Sequence, residues 1–164
     1  MPPPIRPATV TDLAAINAIY NHYVLHSTCT YQLSPSTELE RQAWFARHGP
    51  AYPVTVAAEP GGMVLGWASL SAFLSRPAYR FTVEDSVYVH PDHLRRGIGR
   101  ALLVDLLRRA DELGYANVIA NISADQAPSI TVHRELGFVE AGRLVKVGFK
   151  FERWLDIVFL QRRR

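Results

Sequence analysis

The sequence predicts an α/β domain in which helices flank both faces of a mixed, mostly antiparallel sheet. Three observations carry this reading. Val83 to Val89 is rich in β-formers, stops at His90-Pro91-Asp92, and passes through a glycine-bearing turn into a segment of helical period. Tyr52 to Val89 reads as three consecutive strands joined by turn signals, which is how antiparallel hairpins are built. The whole pattern reads β-α-α-β-β-β-α-β-α-β-β, an order that mixes hairpins with a strand-helix-strand crossover.

Taken in order, Ile5-Arg6-Pro7-Ala8 is a short strand. Thr9 with Asp12 three residues later is a helix-start signal, and Leu13, Ile16, Ile19, Tyr20, Tyr23 and Val24 form the apolar face of a helix to about residue 25. Ser27 to Pro35 is a loop carrying Cys29 and Tyr31. Ser36 and Thr37 with Glu38 and Glu40 predict a second capped helix through Trp44 and Phe45, ending near Gly49-Pro50. Tyr52 to Glu59 and Met63 to Phe73 are strands joined by Gly61-Gly62. Ser75-Arg76-Pro77 breaks the pattern, which places Arg76 and Arg80 in a loop before the strand Phe81 to Val89. The helix from Gly99 places Leu102, Leu103, Leu106, Leu107, Ala110 and Leu113 on one face, with Arg100, Asp105, Arg108 and Glu112 opposite. Ala116 to Ile122 is an apolar strand suited to burial, and Ser123 to Gln126 a polar loop. Pro128 opens a helix contacting the core through Ile130, Val132 and Leu136 and capped by Gly137. Phe138 to Val147 and Phe149 to Leu160 are the last strands, with Gly148 between them.

The turn Arg95-Arg96-Gly97-Ile98-Gly99-Arg100 is the most informative stretch. Glycines let a backbone approach a ligand closely, the next amides open a helix, and three arginines surround them. Together they predict a site for a phosphate or pyrophosphate. Leu102 occupies the third glycine position of G-x-G-x-x-G, and G-x-x-x-x-G-K-[ST] is missing, so neither a dinucleotide fold nor an NTPase is indicated.

A chain of 164 residues with 48% hydrophobic content is the size of one domain, read here as residues 1-164. Net charge is +3, concentrated in this loop and in Arg162-Arg163-Arg164, which is too local for a nucleic-acid footprint. A single cysteine, Cys29, excludes an internal disulfide framework and reads as a core thiol, since no base can be assigned to it. The Met-Pro-Pro-Pro start has no signal-peptide pattern and no apolar run is long enough for a membrane span. The expectation is a cytoplasmic protein with no nucleic-acid or membrane partner.

The loop and its flanks resemble the main motif of the GCN5-related N-acetyltransferase (GNAT) superfamily, [QR]-x-x-G-x-[GA] after a strand, with Leu94 where Gln or Arg is usual. Within it, I-R-P-A-T, A-I-Y-N, T-V-E-D-S-V-Y-V, S-I-T-V-H-R-E-L-G-F and V-G-F-K-F-E-R-W-L-D are similar to the phosphinothricin and methionine sulfoximine N-acetyltransferase group. The resemblance implies the GNAT acyl-CoA N-acyltransferase fold and acetyl-CoA as donor. It implies pantetheine lying along Val87, Tyr88 and Val89, pyrophosphate on Arg95, Arg96, Gly97, Ile98, Gly99 and Arg100, and cofactor contact at Gln126, where the group usually has Asn. It also implies a homodimer, and a small-molecule amine acceptor of the phosphinothricin, methionine sulfoximine or methionine sulfone class.

Amine acetylation needs a group that takes the ammonium proton. Glu84 fits, because a carboxylate partly buried among Val83, Val87 and aromatics has a raised pKa, and regular strand geometry turns Asp85 to the opposite face. From the resemblance, His133 stands where the superfamily often has a tyrosine that protonates the leaving thiolate, and Arg76 where an anionic acceptor is held. A backbone N–H near Val89 would meet the carbonyl oxygen. Phe73 and Tyr31 are expected pocket walls, with Arg80 a second guanidinium nearby. His90, Asp92 and His93 have metal-ligand chemistry but no supporting ligand elsewhere, so no metal is expected. Two alternatives stay open: acetylation of another amine, such as a polyamine or protein N-terminus, and a non-catalytic acyl-CoA sensor, which would need no base.

Overall fold

The computed structural model describes residues 3–164, so the Met1-Pro2 start lies outside them. The elements follow the expected order: β1 (Ile5–Pro7), α1 (Leu13–His26), α2 (Glu38–Ala46), β2 (Val54–Ala58), β3 (Val64–Ala72), β4 (Thr82–Val89), α3 (Ile98–Glu112), β5 (Asn117–Ser123), α4 (Ala127–Glu135), β6 (Val139–Lys150) and β7 (Arg153–Arg163). They form one sheet in the order β1-β2-β3-β4-β5-β7-β6. Every neighbouring pair is antiparallel except β4 and β5.

Helices cover both faces. On one face Leu102, Leu103, Leu106 and Ala110 of α3 are sealed against Val83, Val118 and Leu160; each leucine contributes roughly 1.5–3 kcal/mol by leaving water. On the other, Leu13, Ile16 and Ile19 of α1 pack on Val54, Val56 and Trp67. With both faces covered, β2 and the first seven residues of β3 are continuously buried. Among the described residues no helix is long and apolar enough to cross a membrane.

The helix starts are fixed by local chemistry. Asp12 accepts from the Thr9 amide at 2.8 Å and from both ends of the Arg6 fork at 2.8 and 2.9 Å, which ties β1 to the short 3-10 turn that leads into α1. At α2, Thr37 Oγ1 accepts from Glu40 N and the Glu40 carboxylate accepts from Thr37 N, a reciprocal cap.

Sheet register opens the functional cleft. β3 and β4 stay paired as far as Gly66 opposite Val89, whereas β4 and β5 pair only from Thr82 to Glu84. Beyond Glu84, β4 therefore has a strand on one side only. Asn121, expected in a buried strand, is exposed and lines the opening between the strands.

Two further expectations are corrected. Leu113 is exposed, because α3 ends at Glu112 and Leu113 caps it. The last hairpin does not turn at Gly148. It turns at Phe151 and Glu152, both at positive φ (51° and 58°), which suits a two-residue hairpin loop. Gly148 stays inside β6 because the Tyr31 ring lies where its Cβ would be.

Candidate active site

Where β4 and β5 part, a cavity of about 240 Å³ lies among Glu84, Ser86, Val87, Tyr88, Gln126 and His133, with Tyr31 and Cys29 on the loop that crosses it. Past its end the chain turns through the glycine loop into α3. Gly97 is the N-cap of α3 at φ 75°, a left-handed conformation that a side chain adopts at a cost, and no atom lies within 4 Å of where its Cβ would be. A Cβ on Gly99 would meet Val89 at 3.4 Å. Arg95, Arg96 and Arg100 are exposed, and Arg96 meets His93 Nδ1 at 3.1 Å. Free amides at a helix start, no side chain over the cap and three cations make a place an anion can enter. Leu94 is exposed and adds no charge there.

Glu84, Ser86 and Tyr88 share the α1/α2 face of β4, while Val83 packs in the opposite core and Asp85 turns that way to α4. The Glu84 carboxylate is half-buried and has no hydrogen-bond partner among the described residues. Burial first, then the neighbouring Asp85 charge, pushes its pKa up. Ser71 is its register partner, and His48 Nε2 lies 3.3 Å from Ser71 Oγ. Burial holds the His48 imidazole below its usual pKa, so it stands neutral near this face. No local sequence signal marks this contact, because His48 meets Ser71 only when α2 folds onto β3.

His133 is 5% exposed and both its ring nitrogens face acceptors. Nδ1 meets the Ser129 carbonyl at 2.7 Å and Nε2 meets Asp85 Oδ2 at 3.1 Å. Burial opposes the charged ring, but the hydrogen bond and charge of Asp85 outweigh it, and the pKa is raised. Proton donation from Nε2 would require the Asp85 bond to open.

The loop over the cleft is held from below. Asp125, unmarked in the sequence, accepts from Thr28 at 2.8 Å, Ser123 at 2.8 Å and Arg153 at 2.7 Å. Burial opposes its charge, and these bonds outweigh it, so its pKa is lowered. Gln126 donates to Thr28 Oγ1 at 2.8 Å, and the Tyr31 hydroxyl reaches Ser123 and the Asp156 carbonyl. Cys29, expected in the core, is instead half-buried at the cleft wall, because its loop lies over the opening; burial keeps its thiol pKa high.

Phe73 and Arg76 do not line this cleft. They lie just past the Glu84 end of β3 and β4: the Phe73 amide donates to Thr82 at 3.4 Å, its ring meets Tyr79, and Arg76 is exposed as the cap of the turn Pro77–Tyr79. Arg80 lies over the Phe81 ring. His90 and His93 stack edge to face, and among the described residues no group of three or more His, Cys, Asp or Glu is disposed to hold a metal.

A sheet that splits beside a strand-to-helix glycine loop is the architecture of acyl-CoA N-acyltransferases, and comparison with known proteins agrees. Residues 16–138 match the acetyltransferase (GNAT) family, and the chain belongs to it as an acetyl-CoA-dependent N-acetyltransferase. Over 158 residues it is 43% identical to the L-methionine sulfoximine/L-methionine sulfone acetyltransferase of Salmonella typhimurium, a match covering 96% of this chain and 92% of that one. It is 40% identical to the phosphinothricin N-acetyltransferase of Alcaligenes faecalis, covering 96% and 81% of the two chains. The crystal structure of a GNAT superfamily phosphinothricin acetyltransferase from Sinorhizobium meliloti in complex with AcCoA aligns with a TM-score of 0.96 at 43% identity, covering 99% of this chain and 89% of that one.

Proposed function

We infer that this enzyme acetylates the α-amino group of a small amino-acid analogue of the phosphinothricin, methionine sulfoximine and methionine sulfone class. The observation that carries the reading is the one-sided pairing of β4 beyond Glu84, with the Gly97 loop at its far end. Backbone groups of Val87, Tyr88 and Val89 not used by β5 suit the amides of pantetheine, and the loop Arg95 to Arg100 suits its pyrophosphate. Gln126, at the cleft wall, is a further contact.

The amine nitrogen must be neutral to attack the acetyl carbon. Glu84 takes its proton, directly or through water, and its raised pKa brings the carboxylate closer to the acidity of the group it serves. As the carbon–sulfur bond breaks, the departing CoA thiolate takes a proton, for which the His133 imidazolium is the donor we assign. Arg76, with Phe73 beside the Glu84 end of the strands, meets the anionic group of the acceptor, since a guanidinium offers a fork to a carboxylate.

Thiol release from acetyl-CoA, followed over a panel of amines, tests this. Methionine sulfone, methionine sulfoximine or phosphinothricin is expected to be turned over in preference to polyamines and peptide N-termini. Glu84→Gln is expected to lower kcat by roughly 10²- to 10⁴-fold while acetyl-CoA binding persists. Arg76→Ala is expected to raise KM for acidic acceptors, by the roughly 1.5–3 kcal/mol of a charge-assisted hydrogen bond, and to spare amines without an acidic group. A Glu84→Gln rate within a few-fold of the native enzyme would remove Glu84 from the chemistry.

A further inference from the structure

A second cavity, of about 350 Å³, opens between α1, α2 and the sheet, and Ser86 and Tyr88 border both it and the cleft. Its walls include Tyr20, Trp44, Trp67 and Tyr88, with Ser69 and Ser86 at the strand side. Arg41 of α2 is the only charged residue on these walls that is buried, at 4% exposure. Tyr20 and Trp44 lie 4.6 and 4.7 Å from its guanidinium carbon, which fixes the plane of the fork. Its Nε donates to Asn17 Oδ1 at 3.1 Å. Among the described residues the two terminal nitrogens have no partner and no carboxylate pairs with the group. Glu40, the nearby carboxylate on the same wall, is committed to the Thr37 cap. The indole N–H of Trp67 is also buried with no acceptor.

Arg41 is a buried cation with no counter-charge, Trp67 Nε1 is a buried donor with its desolvation cost unmet, and both residues line one aromatic cavity. Such a cavity suits a ligand group that is apolar on one side and carries hydrogen-bond acceptors on the other. Methionine sulfone, methionine sulfoximine and phosphinothricin share that group: a methyl on a tetrahedral sulfur or phosphorus bearing two oxo, imino or oxyanion atoms. We propose that this cavity receives the acceptor's side-chain tip, with Arg41 and Trp67 Nε1 donating to its polar atoms and the aromatic rings taking its methyl. The assignment rests on the acceptor class inferred above. Glu84 and Ser86 share a face and lie about 7 Å apart along the strand, which is the span of an extended methionine-length side chain between its amine and its tip.

The test compares methionine sulfone with norleucine, which has the same reach and no polar tip, at saturating acetyl-CoA. Trp67→Phe keeps the ring and removes only the N–H, and it is expected to lower the sulfone-to-norleucine ratio of kcat/KM about tenfold. Arg41→Gln is expected to lower the same ratio, and more steeply with phosphinothricin, whose tip is charged, than with the sulfone. If Arg41→Gln fails to fold by circular dichroism, Trp67→Phe still decides. A native enzyme that turns over the sulfone, with a selectivity ratio that Trp67→Phe leaves within twofold, overturns this assignment and spares the acceptor class. A native enzyme that does not prefer the sulfone over norleucine overturns both.

Discussion

Glu84 and Asp85 are sequence neighbours with opposite environments, because a strand turns successive side chains to opposite faces. Glu84 is left without a partner on the cleft side, while Asp85 is spent on His133 across the sheet. The pair has a pH signature. The folded His133 pKa is raised above the unfolded value of about 6.5, so the stability that it contributes is complete below that pH and is lost as pH rises through the folded value. Urea unfolding of the native enzyme and of His133→Gln from pH 6 to pH 9 should show the stability gap narrowing as pH rises. A gap that is constant or widens would mean a neutral imidazole. That Glu84 and Asp85 face opposite ways was legible in the sequence because strand alternation is local, whereas the choice of Glu84 as the base rested on the family resemblance. Arg41 and Trp67 were not legible, since their environment is assembled from α1, α2, β3 and β4, and nothing within a few residues of either announces it.

At the scale of elements, the glycine loop and the two capping signals were legible because the groups that satisfy them lie within a few residues: Thr9 with Asp12, Thr37 with Glu40, Gly97 with the first turn of α3. The final hairpin was misplaced for a complementary reason. Gly148 looks like a turn residue, but it is small to admit the Tyr31 ring from a loop more than a hundred residues earlier, while Phe151 and Glu152 take the positive φ that the turn needs. Gly97 has the opposite logic, for it has empty space above it and a backbone that disfavours any side chain. Gly97→Val should therefore act twice, straining the left-handed cap and placing a branched side chain over the amides that we assign to the pyrophosphate. Native enzyme should melt at higher temperature with CoA, because a ligand that binds only the folded state stabilises it. The variant should melt lower without CoA and lose most of that gain. An undiminished CoA shift in a folded variant would remove the loop from the binding site.

At the scale of the whole molecule, the sheet is closed at one end and open at the other. β1 is a three-residue edge strand, short enough to offer little to another chain, but β6 is a twelve-residue edge whose first nine residues are all exposed. Apolar side chains are concentrated there: Val139, Val145, Val147 and Phe149 on β6, with Phe151 in the turn and Trp154 beyond it, are each more than half exposed. A long apolar edge left bare invites pairing with another chain, and native proteins either cover such edges or interrupt them. β6 carries two irregularities, one between Glu140 and Gly142 and one between Leu144 and Gly148 where Lys146 takes a φ of 51°, and they leave the apolar run in place. We propose that a second copy of the chain covers it, so that the enzyme is a homodimer. Sedimentation equilibrium at micromolar concentration should give twice the mass of the chain. Replacing Val145 and Trp154 together by glutamate puts like charges on both sides of such an interface and should bring the mass down to one chain with the helix and sheet signals of circular dichroism intact. A native enzyme that sediments as a single chain at that concentration would leave the apolar edge without its partner and defeat the dimer.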